Sequence, residues 1–95
     1  MMDITDFIPF GRKNAVTRKY LCMITGLDDR TLRNEIAKER RYIPILNSQD
    51  GKGYYQPTLE DAEEVKDFIR QETARAKSIF YALKGAKDWI KDLDN

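Results

Sequence analysis

From residue 62 to residue 93 the chain keeps one spacing. Positions 62, 65, 69, 72, 76, 79, 83, 86, 90 and 93 are Ala, Val, Ile, Glu, Ala, Ile, Leu, Ala, Ile and Leu. Steps of three and four residues gather side chains on one face of an α-helix, and only Glu72 interrupts the apolar row. Phe68, Phe80 and Trp89 widen it. The start is signalled by "PTLED", with Thr58 as N-cap and Asp61 three residues on, in the manner of a capping box. Glu60, Asp61, Glu63 and Glu64 fall in the first turns, where carboxylates complement the helix dipole. Unbroken from 58 to 93, such a helix is roughly 54 Å long at ~1.5 Å per residue. Gly85 is the candidate break, weakening the helix by ~1 kcal/mol relative to alanine. A domain within 95 residues cannot cover so long a stripe with its own core. The stripe is therefore expected to complete the core over part of its length, to pair with a second chain, or both. Val65, Ile69, Ala76, Ile79, Leu83 and Ile90 form the expected seam of a homodimer.

Upstream of this helix the signals are short. Pro9 and Gly11 rule out a long helix over residues 3–14 and leave room for one turn around Ile4–Ile8. In "TRKYLCMITG", Thr17 can cap a helix and Gly26 can end it in the left-handed conformation. Leu21, Cys22, Ile24 and then Leu27 supply its buried side. In "DDRTLRNEIAKERR", Asp28 is a good N-cap, and Leu32 and Ile36, with Ala37 beside them, make a narrow apolar stripe on a charged helix over 28–41. Two short helices joined across "TGLDD" are a helix-turn-helix candidate. A hairpin follows, with "YIPIL" as one strand, "NSQDGK" as the tip and "GYYQ" as the return. Strand alternation expects one of Tyr54 and Tyr55 in the core and the other exposed. The expected fold class is mainly α with a small β-hairpin. Residues 1–57 form one module and residues 58–95 a C-terminal helix.

Charge is uneven along the chain. Residues 1–11 carry two acids and no base, net −2; residues 12–56 carry ten Lys/Arg and five Asp/Glu, net +5; residues 57–95 carry seven and nine, net −2, which sums to +1. The basic middle segment points to a polyanion. The helix face away from Leu32 and Ile36 holds Arg30, Arg33, Asn34, Lys38 and Arg41. Arginine can donate two bonds to guanine and asparagine can make two with adenine. Arg30, Arg33 and Asn34 are thus candidates for reading base edges in double-stranded DNA. Lys38 and Arg41 are candidates for its backbone, with Arg12, Lys13, Arg18 and Lys19 near the first helix and Lys52 at the hairpin tip. The plain alternative is a solvated amphipathic helix carrying ordinary surface charge.

Several classes of function are disfavoured. The chain has no histidine, the commonest general base and metal ligand, and neither GxxxxGK[ST] nor GxGxxG. Its one cysteine, Cys22, cannot form an internal disulfide. The expectation is a protein that is not an enzyme, with no cofactor, no metal and no small-molecule substrate. No apolar run approaches about 18 residues, and the opening "MMDITDFIPFGRKN" has acids ahead of a short apolar patch. Neither a membrane span nor a secretory signal is expected, and the expected setting is cytoplasmic.

Residues 15–57 resemble the winged helix-turn-helix at the front of biotin operon repressors and in many bacterial transcription factors. The carriers are "VTRKYLCMITGLDDRTLRNEIAKERR" and "IPILNSQDGKGYYQP". Within them stand the capped helix end Leu21 to Gly26, Thr31-Leu32-Arg33 with Ile36, and Gly51-Lys52-Gly53-Tyr54 as the wing return. The whole chain is also similar to small winged-helix proteins of prophages and mobile elements in Gram-positive anaerobes. That similarity rests on Ile8-Pro9-Phe10-Gly11-Arg12-Lys13-Asn14-Ala15-Val16-Thr17 and on Arg75-Ala76-Lys77-Ser78-Ile79. The resemblance implies a DNA-binding regulator or accessory factor, with helix 28–41 in the major groove and wing 47–55 on the backbone. Three departures stand out. Glu39 occupies a position expected to be apolar, Tyr42 stands near the place of the usual glycine before the wing strand, and residues 1–14 cannot supply a full first helix. Part of the C-terminal helix is expected to fill that slot, with Ile8 and Phe10 closing the core. The competing reading is a protein–protein adaptor that uses the same module and the heptad stripe without binding DNA.

Overall fold

A computed structural model of the chain describes residues 3–48 and 50–94. It is mainly helical, with one two-stranded antiparallel hairpin and a long C-terminal helix, and it divides into two units, Met1–Val65 and Lys66–Asn95.

The first unit opens with a 3-10 turn at Ile4–Phe7 and a second at Arg12–Asn14. Helix α1 spans Arg18–Thr25; the Thr17 hydroxyl accepts from the Tyr20 amide at 3.1 Å, and Gly26 ends the helix at φ 76°. Helix α2 spans Asp29–Glu39, and the Asp28 carboxylate accepts from the Thr31 amide at 2.7 Å. Both caps satisfy amides that a helix start leaves without a partner. Arg40 is the C-cap of α2, so Arg41 lies beyond the helix.

Leu21 of α1 and Leu32 and Ile36 of α2 meet Ile4, Ile8, Ile45 and Tyr54 in one buried cluster, with Phe7, Val16, Cys22, Leu27 and Ile43 packed against it. Ile24 and Ala37 are exposed, contrary to expectation. At ~100° per residue, the buried side of α1 is centred among Leu21, Cys22 and Thr25, and Ile24 lies outside it. Ala37 likewise lies on the side of α2 that carries Arg30 and Arg33. The N-terminal turn packs on α1 and α2. Its Ile4, Phe7 and Ile8 are spaced to present one apolar side in a single turn, and the C-terminal helix has no buried residue. Phe10 does not close the core; it is 62% exposed, between Pro9 and Gly11, where the chain turns at φ 92°. Ile43 and Ile45 take up the apolar role that Glu39 cannot fill.

Strand β1 is Leu46–Ser48 and β2 is Gly53–Tyr55, with Leu46 opposite Tyr55, Asn47 opposite Tyr54 and Ser48 opposite Gly53. The first strand begins later than "YIPIL" suggests. The amides of Tyr42 and Ile43 still bond the Glu39 carbonyl at 2.9 and 3.0 Å, and Pro44 has no amide to give. Tyr54 and Tyr55 are both buried, so the return strand is covered on both faces. Tyr54 joins the core cluster. Burial, reinforced by the charges of Asp61 and Glu64, raises the pKa of the Tyr55 hydroxyl.

Strand β2 also pairs on its other edge. Val16 and Tyr54 exchange two backbone bonds, at 3.0 and 2.7 Å. The approach is so close that a Cβ on Gly53 would lie 1.9 Å from the Val16 carbonyl oxygen, and Gly53 has φ 106°. Next in line, Gln56 holds the N-terminal segment. Its amide bonds Pro9 O and its carbonyl accepts from Gly11 N, each at 2.8 Å, while its side-chain Nε2 donates to Ile8 O at 2.9 Å and Thr5 O at 3.2 Å.

A 3-10 turn at Leu59–Asp61 leads into helix α3, Ala62–Leu93, which is continuous through Gly85. Asp61 does more than complement a dipole. It is buried, and its Oδ2 accepts from Thr58 N at 3.0 Å, Thr58 Oγ1 at 3.2 Å and Arg12 N at 3.3 Å. The Thr58 amide bond holds its carboxyl below the usual carboxylate range.

Two measurements check this account. Gly53→Ala should lower the thermal midpoint by more than ~20 °C, because a left-handed backbone and a backbone collision act together. Gly51→Ala, at φ 84° with open space around it, should cost only about 1–2 kcal/mol. Equal effects would show that the close approach to Val16 is unimportant. A carboxyl with a lowered pKa in the fold stabilises it above about pH 4, and that contribution disappears as pH falls through the lowered value. Asp61→Asn should therefore lower the midpoint near neutral pH and shrink the loss seen between about pH 5 and pH 2.

Candidate functional site

Helix α2 turns Arg30, Arg33, Asn34 and Ala37 outward, opposite the buried Leu32 and Ile36. Spacings of three and four residues set these four in one row. Lys38 lies beside the row and Arg41 past its end, both exposed.

Several expected contact residues already hold carboxylates. Asp29 Oδ1 meets Arg18 Nε at 2.5 Å, and Asp29 Oδ2 meets Arg33 Nε at 3.1 Å. Asp29 is the first residue of α2, where a carboxylate suits the helix dipole, and it lies one turn before Arg33. The packing of α1 on α2 brings Arg18 to the same group. Lys38 pairs with Glu35 at 3.3 Å. Arg12 reaches Asp50 and Glu64, each at 3.4 Å. All these pairs are solvent-accessible, and such pairs are worth about 0–1 kcal/mol. An incoming phosphate can exchange with the carboxylate at little cost. Lys13, Lys19, Arg30, Arg41 and Lys52 are exposed and make no ion pair among the described residues.

Two grooves show which groups the fold gathers. One is lined by Arg18 and Lys19 of α1, Asp29 of α2, and Asn47 and Gly51 of the hairpin. Through Asp29 it adjoins Arg33. The other brings Lys13 and Asn14 to Asp50, Lys52 and Thr58. Lys38 is not drawn into either; it stands eight residues from Arg30, about 12 Å along the axis.

The hairpin tip is held by Asp50, whose carboxylate accepts from Ser48 Oγ, from the Lys52 amide at 3.2 Å and from Arg12 Nη2 at 3.4 Å. The Ser48 hydroxyl, then the Lys52 amide, keep the Asp50 carboxyl below its usual range. With Gly51 in the left-handed conformation, the tip closes and Lys52 stays exposed.

Two residues that sequence reasoning passed over matter here. Asp29 was visible in principle, one turn before Arg33. Arg40 was not. Its Nε donates to Ile45 O at 2.9 Å, and its guanidinium sits 6.0 Å from the Tyr54 ring centre, bracing the end of α2 against the hairpin. In the expected seam, Val65 is half-buried in the first unit, whereas Ile69, Ala76, Ile79, Leu83 and Ile90 are exposed on α3. Among the described residues, no group of three His, Cys, Asp or Glu is placed to hold a metal ion, and no helix is long and apolar enough to cross a membrane. In comparisons with known proteins, no family model matches the chain, and neither does any curated protein or solved structure.

Proposed function

We propose that the first unit is a winged helix-turn-helix that binds double-stranded DNA and serves as a regulator or accessory factor of a prophage or mobile element. The observation that carries this reading is the outward row of α2, Arg30, Arg33 and Asn34 around exposed Ala37, beside a hairpin tip with Lys52 exposed. The winged-helix reading is supported by element order: a short first turn, the bridging residue Val16, two helices, then a hairpin whose return strand bonds Val16. The role in a mobile element rests on the sequence resemblance alone.

In this mechanism the first half of α2 enters the major groove. Arg30 and Arg33 donate to guanine and Asn34 bonds adenine, while the small Ala37 allows close approach and meets a thymine methyl. Lys13, Lys19 and Lys52 hold phosphates beside the groove, and Lys38 and Arg41 hold backbone at the far end of α2. Arg12, Arg18 and Arg33 exchange their carboxylate partners for the nucleic acid. No bond is made or broken.

Anisotropy titrations of a random duplex library over a salt series test this. If two chains together engage about six phosphates, log affinity should fall against log salt with a slope of roughly −5. Absence of binding even at low salt sinks the proposal. Arg33→Ala should relax sequence preference, whereas Lys52→Ala should weaken all sequences about equally. Asp29→Asn should raise affinity for any duplex about three- to tenfold, since it releases two arginines from pairs worth up to ~1 kcal/mol each. A lower affinity would mean that Asp29 orients those arginines and does not compete for them.

The exposed apolar face of α3 favours a second reading, an adaptor that binds protein and no DNA. An adaptor keeps its partner when Arg30, Arg33 and Lys52 are neutralised and loses it when Ile79 and Leu83 are made polar.

A further inference from the structure

Helix α3 has no buried residue, and Ile69, Ile79, Phe80, Leu83, Trp89, Ile90 and Leu93 are each more than two-fifths exposed on it. If each loses about 100 Å² on pairing, roughly 700 Å² per chain is covered, close to the ~800 Å² of a stable interface. A helix seam with regular three- and four-residue steps is matched in length and pitch by another copy of itself.

The sequence of the seam also decides direction. Pairing two copies parallel and in register sets Glu72 against Glu72 and stacks Ala62, Ala76 and Ala86 each on itself. Like charges then meet in the seam, and three layers are left underfilled. Pairing them antiparallel about a point between residues 77 and 78 gives a different set of layers. Ala76 faces Ile79, Ala86 faces Ile69 and Glu72 faces Leu83. The same register continues to Val65 opposite Ile90 and Ala62 opposite Leu93. Each alanine now meets a large side chain, and the two Glu72 residues are separated. Glu72 has its own Arg75 at 3.0 Å to neutralise it at the seam edge. Beside the seam, Phe68 falls next to Trp89. Lys66 next to Lys87 is unfavourable, but both are exposed to solvent, where like charges are screened.

We propose that α3 pairs with α3 of a second copy of this chain as an antiparallel two-stranded coiled coil, with Ala76 opposite Ile79 at its centre. This pairing does not rest on DNA binding, and its test uses no DNA.

Sedimentation equilibrium of the full chain should give a dimer; a monomer or a tetramer overturns the proposal. Direction is read by cross-linking in a Cys22→Ser background. Ile69→Cys and Ala86→Cys chains, each alone, should form little disulfide dimer, because like positions lie about 25 Å apart in this register. Mixed while reduced and then oxidised, the two should cross-link to each other. Self-cross-linking of either, or failure of the mixture to cross-link, overturns the orientation. A charge test checks the register. Leu83→Arg should keep the dimer, because the new cation faces Glu72, whereas Leu83→Asp should dissociate it. Dissociation by Leu83→Arg, or a dimer that survives Leu83→Asp, overturns the assignment.

Discussion

The segment Gly53–Gln56 is bonded on both edges, and the first unit is organised around it. One edge takes β1 and the other takes Val16 and the Pro9–Gly11 turn. A two-stranded hairpin is marginal in water, so the third contact decides whether the hairpin has a fixed place. That contact needs the Val16 carbonyl to lie where a Cβ of residue 53 would be, and only glycine permits it. Tyr54, between the two partners, carries its ring into the cluster formed by α1, α2 and the N-terminal turn. Backbone pairing and apolar burial thus depend on the same residues. Loss of the bridge would also strand buried amide and carbonyl groups, at about 1–3 kcal/mol each.

The candidate interface has two physical layers. The outward row of α2 follows from helix periodicity, once Leu32 and Ile36 are buried. The state of its cations does not. Asp29 holds Arg18 and Arg33, and Asp50 with Glu64 holds Arg12. These exposed pairs hold the arginines near defined positions without binding them strongly. Solvent-exposed pairs of this strength, about 0–1 kcal/mol, leave the arginines able to exchange partners at little cost.

The C-terminal helix obeys a different logic. Its apolar face is as regular as a core face, yet no residue of it is buried within the chain. Large contiguous apolar surface on a helix is a mark of association. In the proposed antiparallel pairing, side-chain volumes are complementary across each layer, with every alanine set against isoleucine or leucine.

Local features are legible in the chain itself. Thr17, Asp28 and Gly26 mark helix ends, Thr58 with Asp61 marks the start of the last helix, and the row of Arg30, Arg33 and Asn34 faces away from Leu32 and Ile36. Each depends on groups within about one helical turn, so spacing alone reveals it. Tertiary packing alone sets the N-terminal turn on α1 and α2, buries both Tyr54 and Tyr55, and leaves Phe10, Ile24 and Ala37 exposed. It also decided that Arg12 braces Asp50 and that Asp61 accepts from the Arg12 amide, across 38 and 49 residues. Gln56 reaches Thr5 across 51. Contacts at such separations are chosen by which surfaces remain uncovered once the helices have packed, and no periodicity within a segment carries that information.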